Sequence, residues 1–575
     1  MSQMWYDVLK KNPGKKCMLF EERSMTFAQV ETHSNQMSNW LLGKGVKKGD
    51  CVALLMENRP EFVVAWLGMT KIGVRVALIN TAIKNAGLLH CVKISECKML
   101  FFGSELAESV QAIEGELRGA GIQLFSAGAE LTHFCTNAEG ELAAASHAAP
   151  SPTHREGISM GDTFGYIYTS GTTGLPKAAV ILHQKMYTFG AGMGRAFQVR
   201  ESDVIYTCLP LFHSAGGGLG IGIMLWSGCT VVIKKKFSAS EWWKDAVKYK
   251  VTVAQYIGEL CRYLILQKPT PEEKQHKVRI CIGNGLRSEI WGEFQERFNV
   301  PEIGEFYGST EGNAALFNHC RTKDARGACG RMGALLKRVT GIELVKFDVV
   351  EEEPVRGADR FCQRCVSDEA GELLFPIRDN DPSTRFAGYS DKKATEKKVI
   401  TDVFVKGDKY FRTGDLLKQD AKGYYHFVDR IGDTFRWKGE NCSTTEVQEV
   451  LANFPGIEEI NVYGVQIPNN MDGRAPTAAI TPIDGDMSKI DFAQLAEHAK
   501  KNLPSYAVPL FLRMQPQMAV TATLKLQKVE LRTSGIEHDK IGQHDKLFWM
   551  HPQKKTYVEF TPADLKEISQ QKAKL

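Results

Sequence analysis

Over the first eighty residues two kinds of apolar run take turns. Short, strand-like runs occupy 17–20, 51–56 and 74–79, and longer stretches with apolar residues near helical spacing occupy 26–44 and 58–72. Asn58 reads as the N-cap of the second helix, with Pro60 in its first turn. A strand-helix-strand order of this kind buries its apolar faces when helices cover a mainly parallel sheet, so the fold class is α/β. The rhythm returns with helical spacing at 183–198 and 238–249 and strand-like runs at 204–207, 251–256 and 277–282. Residues 127–162, rich in Ala, Ser, Pro and Gly, show little periodicity and read as a surface connection.

A chain of 575 residues exceeds what one hydrophobic core serves, so two or more domains are expected. From Gly371 short strands and turns take over, marking a small β-rich subdomain. Beyond Arg430 a compact unit begins, with Ser443-Thr444-Thr445-Glu446 as a capping box ahead of a helix to Asn453 and a strand at 460–465. The expected division is a large N-terminal domain, 1–430, and a small α+β C-terminal domain, 431–575.

A net charge of +5 over this length implies no nucleic-acid partner. Fourteen irregularly placed cysteines and no signal-peptide pattern read as the reduced thiols of an intracellular protein. Cys362 and Cys365 have ligand spacing, but two thiols do not make a zinc site, and no structural metal is expected. Residues 204–233 carry no formally charged side chain and imitate a membrane span; Pro210, Gly216 to Gly218, Gly220, Gly222 and Gly228 interrupt it, so it reads as a core helix followed by a buried strand at 230–233. The chain closes on Ala573-Lys574-Leu575, the small-basic-Leu form of a peroxisomal address read by an import receptor.

One stretch carries chemistry on its face. Tyr166 to Lys177 reads YIYTSGTTGLPK, a β-prone run followed by a Ser/Thr/Gly loop and a basic residue. Gly171 and Gly174 let backbone approach an anion, hydroxyls and free N–H groups donate, and Lys177 adds a point charge. It is not a Walker loop, because Pro176 precedes Lys177 and Ala178 follows it. Two strand-end turns lie downstream: Gly283-Asn284-Gly285, and Tyr307-Gly308-Ser309-Thr310-Glu311, which sets a hydroxyl beside a carboxylate able to ligate Mg²⁺. Asp415, in Phe411-Arg412-Thr413-Gly414-Asp415, is an acceptor for ribose hydroxyls or a turn-former. Arg430 is a further cation or a surface ion-pair partner. Lys525 ends Thr521-Ala522-Thr523-Leu524-Lys525 after an uncharged run and by itself reads as a strand-edge residue.

In this order, these stretches resemble the adenylate-forming superfamily across nearly the whole chain. MENRPEFVVAWLG (56–68), GYIYTSGTTGLPKAA (165–179), LPLFHSAGG (209–217), EFYGSTEGN (305–313) and DRIGDTFRWKGENCSTTEV (429–447) are similar to the fatty acid transport protein and very-long-chain acyl-CoA synthetase family. The resemblance implies a fatty acyl-CoA synthetase that uses ATP, Mg²⁺ and CoA. A fatty carboxylate attacks the α-phosphate to give acyl-AMP, and CoA then displaces AMP. The alternative it leaves open is fatty-acid uptake at a membrane, with trapping by thioesterification and peripheral membrane contact.

The resemblance also implies roles. Tyr168, Thr169, Ser170, Gly171, Thr172, Thr173 and Lys177 belong to the motif that holds the β- and γ-phosphates, with Thr172 and Glu311 as metal ligands and Thr310 beside the α-phosphate. Gly283, Asn284 and Gly285 lie along the adenine, Tyr307 stacks on it, Asp415 binds ribose, and Arg430 meets ribose or phosphate. His213 closes the acyl site, beside the apolar stretches 211–226, 256–264 and 314–317. Lys525 bridges carboxylate and α-phosphate, a cation between two anions that must meet. It departs from the family pattern in lacking the usual preceding Gly, which leaves Lys528 as its rival; Gly432 stands at the hinge about which a mobile C-terminal domain turns.

Overall fold

The computed structural model describes residues 1–130, 133–169, 175–349, 351–378, 380–381, 384–438, 440–467, 473–521 and 526–570. The chain divides into two compact units. The first comprises Met1–Arg331, Phe375–Thr401 and Lys409–Phe411, and the second Met332–Leu374, Asp402–Asp408 and Arg412–Leu575.

The first unit is built on two sheets. One orders its strands Ala315–Cys320, Glu302–Gly308, Ile280–Asn284, Val253–Ile257, Val204–Thr207, Thr230–Ile233, Lys16–Phe20 and Arg23–Thr26. Its six inner strands run parallel and an antiparallel strand closes each edge. The other orders Thr136–Asn137, Gln123–Ala127, Cys97–Gly103, Cys51–Leu55, Arg75–Leu78, Thr163–Thr169 and Lys177–Leu182, parallel until the last pair. The central strands are apolar end to end, as Cys51–Leu55 shows with every residue buried, because a parallel sheet is covered on both faces.

Two expectations are corrected. Asn58 does not cap the helix Pro60–Lys71, whose N-cap is Arg59. Buried at 6% exposure, it donates to Leu209 O (2.9 Å) and Lys234 O (3.0 Å) and accepts from Leu211 N (2.8 Å), stitching three backbone groups near the ends of strands in the other sheet. Part of 127–162 is structured: the helix Glu139–Ala144 packs on the helix Phe27–Gly43, where Trp40 Nε1 donates to Glu141 (2.7 Å). The expected helix at 183–198 is present, with α-helical ends, His183–Tyr187 and Met193–Ala196, on either side of a π-helical turn, Thr188–Gly192.

Gly228, left-handed at φ +72°, ends the helix of 204–233, whereas the glycines from 216 to 222 do not break it. They lie buried within a π-helical segment, Ser214–Ile221, and the α-helix Gly222–Ser227. A Cβ on Gly216 would come within 2.3 Å of Pro210 O, and one on Gly190 within 2.3 Å of Gly222 O, so glycine here permits backbone contact that any side chain would block. No helix among the described residues is long and apolar enough to cross a membrane.

In the second unit residues 415–419 pair antiparallel with 425–430, and 371–374 with 343–346. A further sheet orders Ile457–Val465, Ala475–Pro482, Phe511–Met514, Lys546–Met550 and Tyr557–Glu559. The helices Thr444–Ala452 and Phe492–Asn502 contribute Val447, Leu451, Leu495 and Ala499 to one of its cores, and Val529–Ser534 and Pro562–Ser569 contribute Leu531 and Ile568 to another. Ser443 accepts from Glu446 N (3.3 Å) at the start of Thr444–Ala452, the half of the capping box that satisfies a helix N–H.

Candidate active site

Thr169 ends one strand and Lys177 begins the next, and the two are direct partners in the antiparallel pair. The Ser/Thr/Gly run is therefore the connection of a hairpin whose ends are fixed opposite each other. Ser170, Gly171, Thr172, Thr173 and Gly174 themselves lie outside the described residues. Tyr168 alternates inward. Its hydroxyl donates to Cys91 O and meets Ser95 Oγ, both at 2.6 Å, and its ring joins the core, so the side chain serves packing and only its backbone adjoins the loop.

Tyr389 brings the loop's ends and the downstream carboxylate together. Residues 388–390 run beside the returning strand, with Val180 N donating to Gly388 O (2.9 Å) and Ser390 N to Ala178 O (3.0 Å). The Tyr389 phenol lies close enough to Glu311 and Thr169 for both to act on its proton, and burial together with the Glu311 charge keeps that phenol protonated far above its ordinary range. The Lys177 ammonium lies 5.7 Å from the centre of the Tyr389 ring. Gly388 has φ +66°, and a Cβ there would strike Thr395 at 2.3 Å, so the approach to Tyr389 requires glycine.

Thr310 and Glu311 sit in the turn that follows Glu302–Gly308. Gly312 N donates to Ser309 O (3.2 Å) and to Ser309 Oγ (3.0 Å), and Asn313 Nδ2 donates to Pro376 O (2.8 Å) and Thr384 O (2.6 Å). Beneath the turn the Lys185 ammonium donates to the carbonyls of Thr310 and Gly312 and, at 3.5 Å, to that of Ser309. Thr310 Oγ1 meets Ser214 Oγ at 3.3 Å, which places the turn beside the π-helical segment opened by His213. His213 Nδ1 accepts from Ala215 N (3.3 Å), capping that segment.

The turn Gly283-Asn284-Gly285 is held by Glu305. Its carboxyl, 2% exposed, accepts from Gly285 N, from Leu286 N (3.4 Å) and from the Tyr256 hydroxyl. Burial pushes the Glu305 carboxyl up to about 8. A Cβ on Gly283 would lie 2.2 Å from Tyr256 O, so strand Val253–Ile257 and this turn approach as closely as backbone allows. Tyr307, two residues beyond Glu305, pairs with Leu316 in the edge strand.

Asp415 and Arg430 belong to the second unit, where they are direct partners across an antiparallel pair. Asp415 N donates to Thr413 Oγ1 (3.2 Å), and Arg430 is exposed. The preceding Asp429, 2% exposed, accepts from Thr444 N (2.6 Å) and Thr444 Oγ1 (3.2 Å). Lys525 lies outside the described residues, but Lys528 does not. Its ammonium pairs with Asp433 (3.1 Å) and donates to Thr444 Oγ1 (2.9 Å), and burial lowers its proton affinity despite Asp433 and Asp429. Gly432 O accepts from Arg532 (3.0 Å).

Comparison with known proteins decides the family. The AMP-binding enzyme model matches residues 5–375, and the AMP-binding enzyme C-terminal domain model matches 446–525. The mouse "Long-chain fatty acid transport protein 1" is 42% identical over 548 residues, covering 93% of this chain and 81% of that protein. The chain belongs to the AMP-binding enzyme family, among its fatty acid transport proteins. The Cochliobolus heterostrophus "Very long-chain fatty acid transport protein" is 35% identical over 576 residues, covering 100% of this chain and 88% of its own. The adenylate-forming fold is shared with solved structures at low identity. The anthranilate CoA ligase AuaEII in complex with anthranoyl-AMP has a TM-score of 0.78 at 23% identity, with 93% and 96% of the two chains covered. A Mycobacterium tuberculosis fatty acyl CoA synthetase has a TM-score of 0.64 at 22% identity, with 92% and 97% covered.

Lys185 and Tyr389 lie outside every motif, and Asn58 and Glu305 lie inside motifs that do not reveal what they hold. Glu305 and Lys185 each had a signal, a charged residue in an otherwise apolar or ordered run next to a motif. Tyr389 follows a glycine and precedes the helix Lys392–Glu396, N-capped by Asp391, but lies 78 residues from Glu311 with nothing in the sequence joining them.

Proposed function

We propose that the protein is an ATP-dependent, AMP-forming ligase that joins long- or very-long-chain fatty acids to CoA. The observation that carries this is the convergence on Tyr389 of Thr169 and Lys177, the two ends of the phosphate-type loop, and Glu311. The printed names of the relatives supply the acid: long-chain and very long-chain fatty acids.

In the first step a carboxylate oxygen attacks the α-phosphorus, the bond to the β-phosphate oxygen breaks, and pyrophosphate leaves. The loop between Thr169 and Lys177 holds that leaving group through N–H and hydroxyl donors and the Lys177 charge. Gly283 to Gly285 and Tyr307 receive the adenine, Asp415 and Arg430 the ribose side, and Lys525 offsets the repulsion between the two reacting anions. In the second step the CoA sulfur attacks the acyl carbon and AMP leaves, after the C-terminal domain has turned about Gly432. The hard oxygen donors of Glu311 and Thr172 would hold a magnesium ion, with Thr310 beside the α-phosphate. Such an ion would supply positive charge to offset that of the phosphates.

The apolar, glycine-lined segment after His213 is where the alkyl chain is received. Fatty-acid uptake is the second reading, favoured by the word "transport" in the relatives' names; it follows from the first, since a thioester cannot leave as the free acid does. Peripheral contact with a lipid surface would give access to so insoluble a substrate. Ala573, Lys574 and Leu575, outside the described residues, direct the chain to peroxisomes, and removing them should leave a tagged protein in the cytosol.

The deciding experiment incubates purified protein with ATP, Mg²⁺, CoA and saturated acids of increasing length. AMP and acyl-CoA in equal amounts, with a maximum at long chain length, is the expected result. No acid-dependent AMP at any length sinks the ligase reading, and a maximum at short or aromatic acids sinks the substrate.

A further inference from the structure

Lys185 stands two residues into the helix that follows the loop's return strand, and no motif includes it. Its ammonium meets the three carbonyls of Ser309, Thr310 and Gly312 that line the inner side of one tight turn. Backbone carbonyls aimed at one point repel each other unless a cation lies among them, and a protonated amine has three N–H donors for three acceptors. The aromatic ring of Phe189, centred 5.8 Å away, covers the ammonium on another side.

We propose that Lys185 is the positioning residue of the Thr310–Glu311 turn, holding it in the conformation that receives the phosphates of ATP by setting one N–H donor against each of three converging carbonyls. The role rests on the ligase reading of that turn. Removing the amine leaves three carbonyl oxygens aimed at one point with no donor among them, whereas a guanidinium keeps several N–H donors in the same place.

Two variants and two readouts test this on the full chain. The first readout is kcat/KM for ATP in fatty-acid-dependent ATP–pyrophosphate exchange. The second is amide hydrogen exchange of the peptide spanning 308–313, corrected for intrinsic rate. Lys185→Met should lower kcat/KM by roughly 10–100-fold, the usual loss when a group that orients a metal ligand is removed, and should speed exchange at Gly312 N. Lys185→Arg, which keeps a charged donor under the turn, should restore both readouts close to wild type. Turn protection unchanged in Lys185→Met, or an Arg variant as impaired as the Met variant, overturns the proposal. If Lys185→Met does not fold, turn protection and kcat/KM in the Arg variant, expected to match wild type, decide alone. If wild type shows no acid-dependent exchange while Lys185→Met still loosens the turn, the ligase reading fails and the tether stands.

Discussion

The Tyr389 phenol lies beside both the Glu311 carboxylate and the Thr169 side chain, so one side chain stands between the start of the phosphate-type loop and the metal-ligand candidate. Tyr389→Phe keeps the ring beside Lys177 and removes the hydroxyl that faces both. The expected outcome is a fall of about tenfold in kcat/KM for ATP, typical for a group that orients a metal ligand, with a melting temperature close to wild type. Equal kcat/KM in the two proteins would mean the phenol does not orient Glu311.

Glu305 gives a stability prediction with a definite sign. Its folded pKa, about 8, is raised above the ordinary carboxyl value of 4.5, so the folded state binds the proton more tightly than the unfolded chain. Stability from that proton is present at low pH and is lost as pH rises from the unfolded value through about 8. Glu305→Gln mimics the protonated group and should match wild type near the unfolded value, about pH 4.5, and melt later than wild type by a margin that grows until about pH 8. The gain is on the order of a few kcal/mol, given 1.36 kcal/mol per unit. A melting-temperature difference that does not grow with pH would show that Glu305 is ionised throughout.

Lys528 and Lys525 can be separated by half-reactions. Because the Lys528 ammonium is already held by Asp433 and Thr444, Lys528→Ala should cost stability, about 1–3 kcal/mol for the groups left unpaired, and leave acyl-AMP formation within a few-fold. Lys525→Ala should abolish acyl-AMP formation while keeping thioester formation from supplied acyl-AMP. The reverse pattern would move the catalytic role to Lys528.

Asn58→Ala tests the stitch between the sheets. It strips the acceptor from Leu211 N and the donor from two carbonyls, so denaturant unfolding should show a loss of about 2–4 kcal/mol, the sum of two or three buried hydrogen bonds. A loss below about 0.5 kcal/mol, the level of an ordinary surface substitution, would show the contacts are replaceable by water.

Much of the fold was legible because periodicity reports burial directly. The strands near 51–55, 204–207 and 230–233 appeared where apolar runs put them, and the glycine turn at 283–285 ends a parallel strand, as ligand turns in such sheets do. The same logic failed where a residue's partner is distant. Asn58 looked like a cap because Pro60 follows it, yet its partners are 151 to 176 residues away. The glycines from 216 to 222 looked like interruptions because propensity counts only local backbone, whereas here they permit close packing.

The sequence by itself determined the chemistry: the hydroxyl-rich loop before Lys177, the Thr310–Glu311 pair and the α/β rhythm are local patterns, and local patterns survive in one dimension. Only the tertiary structure decided what holds that chemistry in place. Lys185 under the turn, Glu305 behind the glycines and Tyr389 between Thr169 and Glu311 act across 20 to 220 residues of chain, and a hydrogen bond carries no trace of its partner in either residue's neighbours.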